Sequence, residues 1–155
     1  MQKKEYLSKE KHEELIQELN VLKTVRRKEI AQDLEYARSL GDLSENAEFN
    51  KAREDQAVVE DRIAQIETVL ANAEIVKAHH SNIVEVGTKV HLQKKGSKDT
   101  EKFAIVGSEE IDPNTNSISP KSPIGLALMG KAEKDVVTVQ TPNGKVIEYT
   151  IVDIE

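Results

Sequence analysis

The sequence contains no cysteine, and aromatic residues make up only 3% of its 155 residues. Without cysteine there are no disulfides, thiolate metal sites or cysteine nucleophiles, and this composition fits a reducing compartment. The sequence has no apolar run of membrane-spanning length, and no apolar signal-peptide region follows residues 1–5. We therefore expect a cytoplasmic protein with no membrane contact.

Acidic residues outnumber basic ones, 28 to 22, so an excess of positive charge is also missing and the formal net charge is −6. This balance argues against a broad basic surface that would hold nucleic acid by neutralising phosphates, so any nucleic-acid contact must be local. Charged residues make up 32% of the chain, which is more than one compact core of this length usually needs. Two small bodies are therefore expected.

Glycine and proline are absent from Ser8 to Leu40, which predicts one long helix capped by Ser8. A charged cluster at residues 26–29 interrupts its apolar stripe, so the stripe should weaken or the helix should bend there. The predicted stripe consists of Leu15, Leu19, Leu22, Val25, Ile30, Leu34 and Ala37.

Gly41 is expected to end the first helix, and a second helix should run to about Ala73. The alternating steps of three and four residues in the second helix predict a left-handed coiled-coil seam, with Gln56 as a polar interruption that weakens it. The two helices would form an antiparallel hairpin with an acidic turn, residues 41–48, at its tip. The predicted seam positions are Ala52, Gln56, Val59, Ile63, Ile66, Leu70 and Ala73.

Helical periodicity stops after Ile75, and short alternating segments with turn signals follow. Asn143-Gly144 predicts a terminal β-hairpin, and Ser-Pro at 122–123 with Gly130 predicts one short helix. The expected fold class is α+β, with a coiled-coil hairpin over residues 1–78 and a small β-sheet domain over residues 79–155. The predicted strands are residues 88–92, 102–106, 136–139 and 146–151.

Two acidic residues in the tip turn, Asp42 and Glu45, allow two interpretations. Their spacing is that of a capping box at a helix N-terminus. The same pair of carboxylates is also the kind of ligand that binds a hard cation such as Mg²⁺.

Basic residues lie near this turn on both helices, at Arg38 and Arg53. They could form a small positive patch behind the acids, or they could pair with neighbouring carboxylates in ordinary surface ion pairs. The candidate partners are Glu35, Glu48 and Glu54.

No phosphate-binding glycine pattern and no arrangement of nucleophile and base occurs in the sequence. The adjacent His79 and His80 have no acidic or cysteine partner close in sequence, so we assign them no function.

Three sets of residues resemble the bacterial Gre factors, which are transcript cleavage factors of RNA polymerase, and specifically the GreA type. The most specific is the tip string ARSLGDLSENAEF at residues 37–49. The others are LKTVRR at residues 22–27 and, in the second domain, residues 122–124 with 129–131. The chain departs from many relatives at Ser44, where lysine is frequent, and at Phe49, where tyrosine is common.

The resemblance implies that the coiled coil enters the secondary channel of bacterial RNA polymerase. The C-terminal domain, similar in outline to FK506-binding proteins, would dock outside the channel. Asp42 and Glu45 would help to hold the polymerase's second Mg²⁺, and Arg38 with Arg53 would contact the backtracked 3′ end of the nascent RNA. The chain would then not be an enzyme itself, but a monomeric activator of RNA cleavage by the polymerase.

Three other functions remain open from the sequence. An inhibitory Gre homologue would occupy the channel without promoting cleavage. A prolyl isomerase or chaperone module would share the C-terminal outline, although such a pocket usually needs aromatic walls. A purely structural hairpin would use Asp42 only as a helix cap.

Overall fold

The computed structural model describes residues 3–42 and 44–155, which fold into two compact units. The first is centred on His12–Ala73, and the second consists of Lys4–Lys11 together with Glu74–Glu155. The first unit is a helical hairpin and the second contains a five-stranded sheet, so the predicted α+β class is confirmed. Among the described residues no helix is both long and apolar enough to span a membrane.

The first arm of the hairpin is helical throughout, but not uniformly α-helical. It consists of α1 at Lys9–Val21, a π-helical segment at Leu22–Arg26, and α2 at Arg27–Ser39. As predicted, Ser8 caps the arm, because its Oγ accepts a hydrogen bond of 3.1 Å from the backbone N–H of Lys11.

The π-helical segment explains the interrupted stripe. The set Leu15, Leu19 and Leu22 recurs as Ile30, Leu34 and Ala37, one residue later than a heptad repeat would place it. A π-helical turn accommodates one extra residue and restores the apolar face toward the second arm. Val25, predicted in the stripe, lies inside this turn and is 47% exposed, so that assignment is wrong.

The second arm is α3, Ala47–Ala71, and its buried face follows the predicted seam at Ala52, Val59, Ile63 and Ile66. It departs from the prediction at Leu70, which is half-buried while Val69 is buried, at Ala73, which lies in a strand after the helix, and at Gln56. Gln56 is exposed and does not interrupt the core, so the expectation that it weakens the seam is wrong. Asp55, one residue earlier, is half-buried and occupies the step between Ala52 and Val59. The buried residues of α3 are Ala52, Val59, Ile63, Ile66 and Val69.

The two arms are joined by a small apolar cluster and by ion pairs. Ile30 packs with Val59 and Ile63, and half-buried leucines of the first arm cover them. Arg27 binds the carboxylate of Glu60 through two nitrogens, each at 2.8 Å. Exposed pairs of this kind contribute little to stability, so the apolar cluster holds the hairpin together.

The second unit is built on five strands, β3 Lys89–Lys94, β4 Thr100–Ile105, β5 Ser117–Ile118, β6 Val136–Gln140 and β7 Val146–Ile154. They form one sheet of order β5-β4-β3-β7-β6, in which only the β4–β5 pair is parallel. A short helix, α4 at Pro123–Leu128, is found where it was predicted, and a 3₁₀ turn lies at Ser108–Glu110.

The second unit has an N-terminal contribution that the sequence analysis did not predict. The strand β1, Glu5–Leu7, pairs with β2, Ala73–Ile75, and the carbonyl of Leu7 accepts a 2.8 Å hydrogen bond from the N–H of Val76. Leu7 is only 1% exposed. The structural units therefore differ from a division at residue 78, because pairing and burial attach Lys4–Lys11 to the C-terminal part of the chain.

Candidate functional site

The turn between the two arms begins where Gly41 ends the first arm. Gly41 has a φ of +108°, a left-handed conformation that favours glycine, and its N–H donates to the carbonyl of Arg38 at 3.3 Å. This confirms the predicted helix end. The turn then continues to Asn46, while Leu43, in the middle of the predicted tip, lies outside the described residues.

Asn46 is the residue that closes the turn. Its side-chain oxygen accepts a hydrogen bond of 3.1 Å from the N–H of Phe49, so it is the N-cap of α3. Its side-chain nitrogen donates to the carbonyl of Ala37 at 2.6 Å, near the C-terminal end of α2. One amide thus joins the end of the first arm to the start of the second.

The capping-box interpretation of Asp42 and Glu45 is therefore wrong. α3 begins at Ala47, after a cap by Asn46, and the Asp42 side chain makes no bond to that helix among the described residues. Asparagine before a helix is a recognised cap signal that could have identified Asn46. The Asp-x-x-Glu spacing instead favoured Asp42 as the N-cap, which is four residues too early.

Asp42 instead organises the turn itself. Its Oδ1 accepts hydrogen bonds from the N–H of Ser44 at 3.0 Å and from the Ser44 hydroxyl at 2.7 Å. These two bonds hold the pKa of the Asp42 carboxyl below its ordinary value, and the bond from the Ser44 hydroxyl has the larger effect. The carboxyl is therefore ionised at neutral pH. Both bonds end on Oδ1, and no described residue binds Oδ2.

Glu45 is exposed, and its carboxylate has no hydrogen bond or ion pair with any residue that the structure describes. The turn therefore exposes two carboxylates to solvent. One oxygen of the Asp42 carboxylate accepts hydrogen bonds from described residues, and the Glu45 carboxylate accepts none. Ionised oxygen ligands with open coordination positions are what a hard cation such as Mg²⁺ requires. The donor set fits the magnesium role inferred for these two residues.

Arg38 and Arg53 are both exposed, on α2 and α3 respectively. Neither forms an ion pair with a described residue, so the predicted pairing with nearby glutamates is not seen. Arg53 instead has its Cζ 5.9 Å from the centroid of the Phe49 ring, a cation–π contact.

The bridging role of Asn46 leads to a stability prediction. We expect Asn46→Ala to destabilise the hairpin by about 1–2 kcal/mol, because the cap and the bond to Ala37 are both lost. Asn46→Asp keeps a capping oxygen but cannot donate to the Ala37 carbonyl, so it should fall between Asn46→Ala and the parent protein. Urea unfolding monitored by circular dichroism at a helical wavelength would measure all three, and equal stability of Asn46→Ala and parent would contradict the bridge.

The second unit offers two further concave features. One is an apolar cavity of about 210 Å³, whose walls include Leu7, Val86 and Ile105 but no aromatic side chain. The other is an open depression of about 340 Å³ between α4 and β6, with Leu126 69% exposed and Val136 55% exposed at its edge.

Comparison with known families gives a match over nearly all of this chain. Residues 5–75 match the family model described as the N-terminal domain of transcription elongation factors. Residues 79–155 match the model for the C-terminal domain of transcription elongation factors GreA/GreB.

Individual relatives agree. The chain is 43% identical to transcription elongation factor GreA of Halalkalibacterium halodurans over 99% of this chain and 98% of that protein. It is 46% identical to GreA of Clostridium acetobutylicum, covering 91% of this chain and 90% of the relative. Among solved structures, the GreA factor homolog 1 of Thermus thermophilus is 26% identical, covers 99% of each chain and has a TM-score of 0.45.

Proposed function

Because the chain belongs to the GreA/GreB family of transcription elongation factors, we propose that it binds bacterial RNA polymerase and stimulates cleavage of backtracked nascent RNA. The observation that carries the proposal is the pair of exposed carboxylates, Asp42 and Glu45, at the tip of a long helical hairpin. Removal of the backtracked 3′ end would restore a terminus that the polymerase can extend.

In the proposed complex, Asp42 and Glu45 would hold the second Mg²⁺ of the polymerase. When bound there, this ion supplies stabilisation of charge on the reacting phosphodiester oxygens. The contribution of this chain is negative charge, already ionised at Asp42 and fixed in the turn by Ser44. In this proposal the chain supplies ligands to the active site of the polymerase, so it activates the polymerase and is not itself the nuclease.

The same proposal gives Arg38 and Arg53 contact with the backtracked RNA. Both side chains are exposed and carry no compensating carboxylate among the described residues, so their charge is available to phosphate oxygens. The protein as a whole has a net charge of −6, which makes a local contact of this kind the expected form of nucleic-acid binding. The protein would act in the cytoplasm as a monomer.

The other candidate functions have less support. The apolar cavity beside Leu7 has no aromatic wall, so it does not resemble a prolyl isomerase pocket. The purely structural hairpin was supported by the interpretation of Asp42 as a helix cap, and Asn46 has that role instead. An inhibitory homologue would bind polymerase without promoting cleavage, and activity distinguishes it from the proposed activator.

The decisive experiment uses halted elongation complexes with a labelled RNA 3′ end. The protein should release short 3′ fragments in the presence of Mg²⁺ and should release none from free RNA without polymerase. Binding to polymerase without release of fragments would identify the inhibitory homologue instead.

We expect the C-terminal domain to supply most of the polymerase affinity, since the hairpin offers little contiguous apolar surface outside its seam. Leu126 lies on the short helix α4 at the edge of the open depression, and its side chain is 69% exposed. Leu126→Ser should weaken polymerase binding by about fivefold or more. Val146→Ser, at a residue 67% exposed on β7, is the matched control and should bind normally in a competition assay. If both variants bind polymerase equally well, the depression beside Leu126 is not the polymerase-binding surface.

A further inference from the structure

A second group of metal-binding side chains lies on the sheet of the C-terminal unit, far along the chain from the acidic tip. It consists of His91 on β3, Asp153 on β7, and Glu155 just after β7. One ligand atom from each residue lies within 4.8 Å of the other two. His91 is half-buried and the two acids are exposed, so the cluster is open to solvent.

The strand register explains why these three residues meet. His91 is directly opposite Asp153, and side chains of opposite residues in antiparallel strands lie on the same face. Glu155 follows Asp153 by two residues, which returns its side chain to that face. Its backbone is held by two hydrogen bonds to Lys89, of 2.7 and 3.0 Å.

A β-bulge lies immediately beside the cluster. Leu92 is opposite Ile151 while His91 is opposite Asp153, so β7 contains one extra residue, Val152, between the two pairs. Bulges of this kind bend a strand and change the direction of neighbouring side chains, and they are frequent beside functional sites.

The separation of the donor atoms suits a small metal ion. The Nε2 of His91 and the Oε1 of Glu155 are 3.3 Å apart as hydrogen-bonding partners, and a metal ion bound to both atoms would replace this hydrogen bond. Two ligands of a tetrahedral Zn²⁺ with bonds near 2.1 Å would be about 3.4 Å apart. Little rearrangement of these two side chains would be needed to place them in one coordination sphere.

From this arrangement we propose that His91, Asp153 and Glu155 form a binding site for a divalent transition-metal ion of the Zn²⁺, Co²⁺ or Ni²⁺ type. An imidazole nitrogen with two carboxylates favours these ions over Mg²⁺ and Ca²⁺, which prefer oxygen ligands throughout. Three protein ligands would leave at least one coordination position for water or for a group from a partner molecule. The site is independent of the proposed cleavage function.

The ammonium group of Lys102 would compete with a metal ion for the Glu155 carboxylate. Its Nζ is 2.6 Å from Oε2 of Glu155, and β4 places Lys102 opposite His91. A bound cation must share Glu155 with this ammonium group or displace it. Removal of the lysine charge should therefore tighten metal binding, which a merely adventitious interaction elsewhere on the protein would not do.

The test is calorimetric titration of the full-length protein with ZnCl₂ and, separately, NiCl₂. To remove any contribution from the tip, all variants carry Asp42→Asn and Glu45→Gln. We expect saturable binding of one ion. His91→Ala and Asp153→Asn should each weaken it by at least about tenfold, since each removes one of three ligands. Lys102→Gln should tighten it by roughly threefold or more, since an exposed charge pair is removed.

His80→Ala is the matched control, because it deletes another exposed histidine of the same unit and should leave binding unchanged. Circular dichroism verifies that each variant is folded. If His91→Ala does not fold, Asp153→Asn still tests the site. Absence of saturable binding would overturn the proposal. It would also be overturned if His80→Ala lowered the affinity as much as His91→Ala, or if Lys102→Gln weakened binding.

Discussion

Asp42→Asn is expected to reduce the rate of transcript cleavage by roughly 100-fold or more, since a metal ligand loses its charge. Asparagine at this position retains a side-chain oxygen that can accept the two hydrogen bonds from Ser44. The turn should therefore keep its shape while the negative charge disappears. Because Asn46 caps α3, the change does not affect helix capping, and a loss of activity can be assigned to the missing charge.

Cleavage would be measured on backtracked complexes at several Mg²⁺ concentrations, with polymerase binding measured in parallel. Asp33→Asn is the matched control, since it makes the same chemical change at an exposed residue of α2 away from the tip. It should leave cleavage unchanged. Full stimulation by Asp42→Asn would refute the metal-assisting role of the tip.

Glu45→Gln should give a similar loss for a simpler reason. The Glu45 carboxylate has no partner among the described residues, so the substitution removes charge without breaking a bond within the chain. If the two acids share one ion, raising Mg²⁺ should partly restore cleavage in both variants. A variant that is inactive at every Mg²⁺ concentration, yet binds polymerase normally, would indicate a role other than metal affinity.

Local signals in the sequence predicted much of the architecture. Gly41 predicted the end of the first arm, and Asn143-Gly144 predicted the β6–β7 hairpin, whose pairing extends to Gln140 and Val146. Ser122 and Pro123 predicted the start of α4, where the Ser122 hydroxyl accepts a 3.1 Å bond from Gly125. Each of these features depends on residues close together in the chain.

Features that depend on distant residues were missed. The pairing of β1 with β2 joins the segment before the first arm to the segment after the second arm, and no periodicity within either three-residue strand indicates it. Burial at α3 depends on the partner arm, which selects Asp55 and not Gln56 for the half-buried position. The tip acids could be named as candidates from the sequence, and their metal-assisting role stays a prediction. The bridge from Asn46 to Ala37 could not be predicted before both arms were placed.

Gly125 shows how a tertiary contact can reverse a prediction made from helix propensity. It lies in α4 and is buried, and it has an ordinary negative φ. Propensity alone predicts that Gly125→Ala stabilises the helix by about 1 kcal/mol. In the structure, however, a Cβ at this position would lie 1.8 Å from the backbone oxygen of Ser119.

We expect Gly125→Ala to destabilise the C-terminal unit by at least about 2–3 kcal/mol, because backbone must move to relieve this overlap. The Ser119 carbonyl cannot move freely, since it accepts hydrogen bonds from the N–H of Ser122 at 3.1 Å and from the Ser122 hydroxyl at 2.7 Å. Displacing it would weaken the cap of α4 as well as the packing of the helix on the sheet.

Gly96→Ala is the control in the same unit. Gly96 has a φ of +88°, where alanine is strained by about 1 kcal/mol, but no described residue other than its two chain neighbours has an atom within 4 Å of the added Cβ. Backbone conformation alone would make Gly96→Ala the more harmful change, whereas the contact with Ser119 makes Gly125→Ala worse. Hydrogen exchange of buried β3 and β4 amides, such as those of Leu92 and Ile105, would report the stability of this unit separately from the hairpin. Faster exchange in Gly96→Ala than in Gly125→Ala would show that α4 can shift away from Ser119 at little cost.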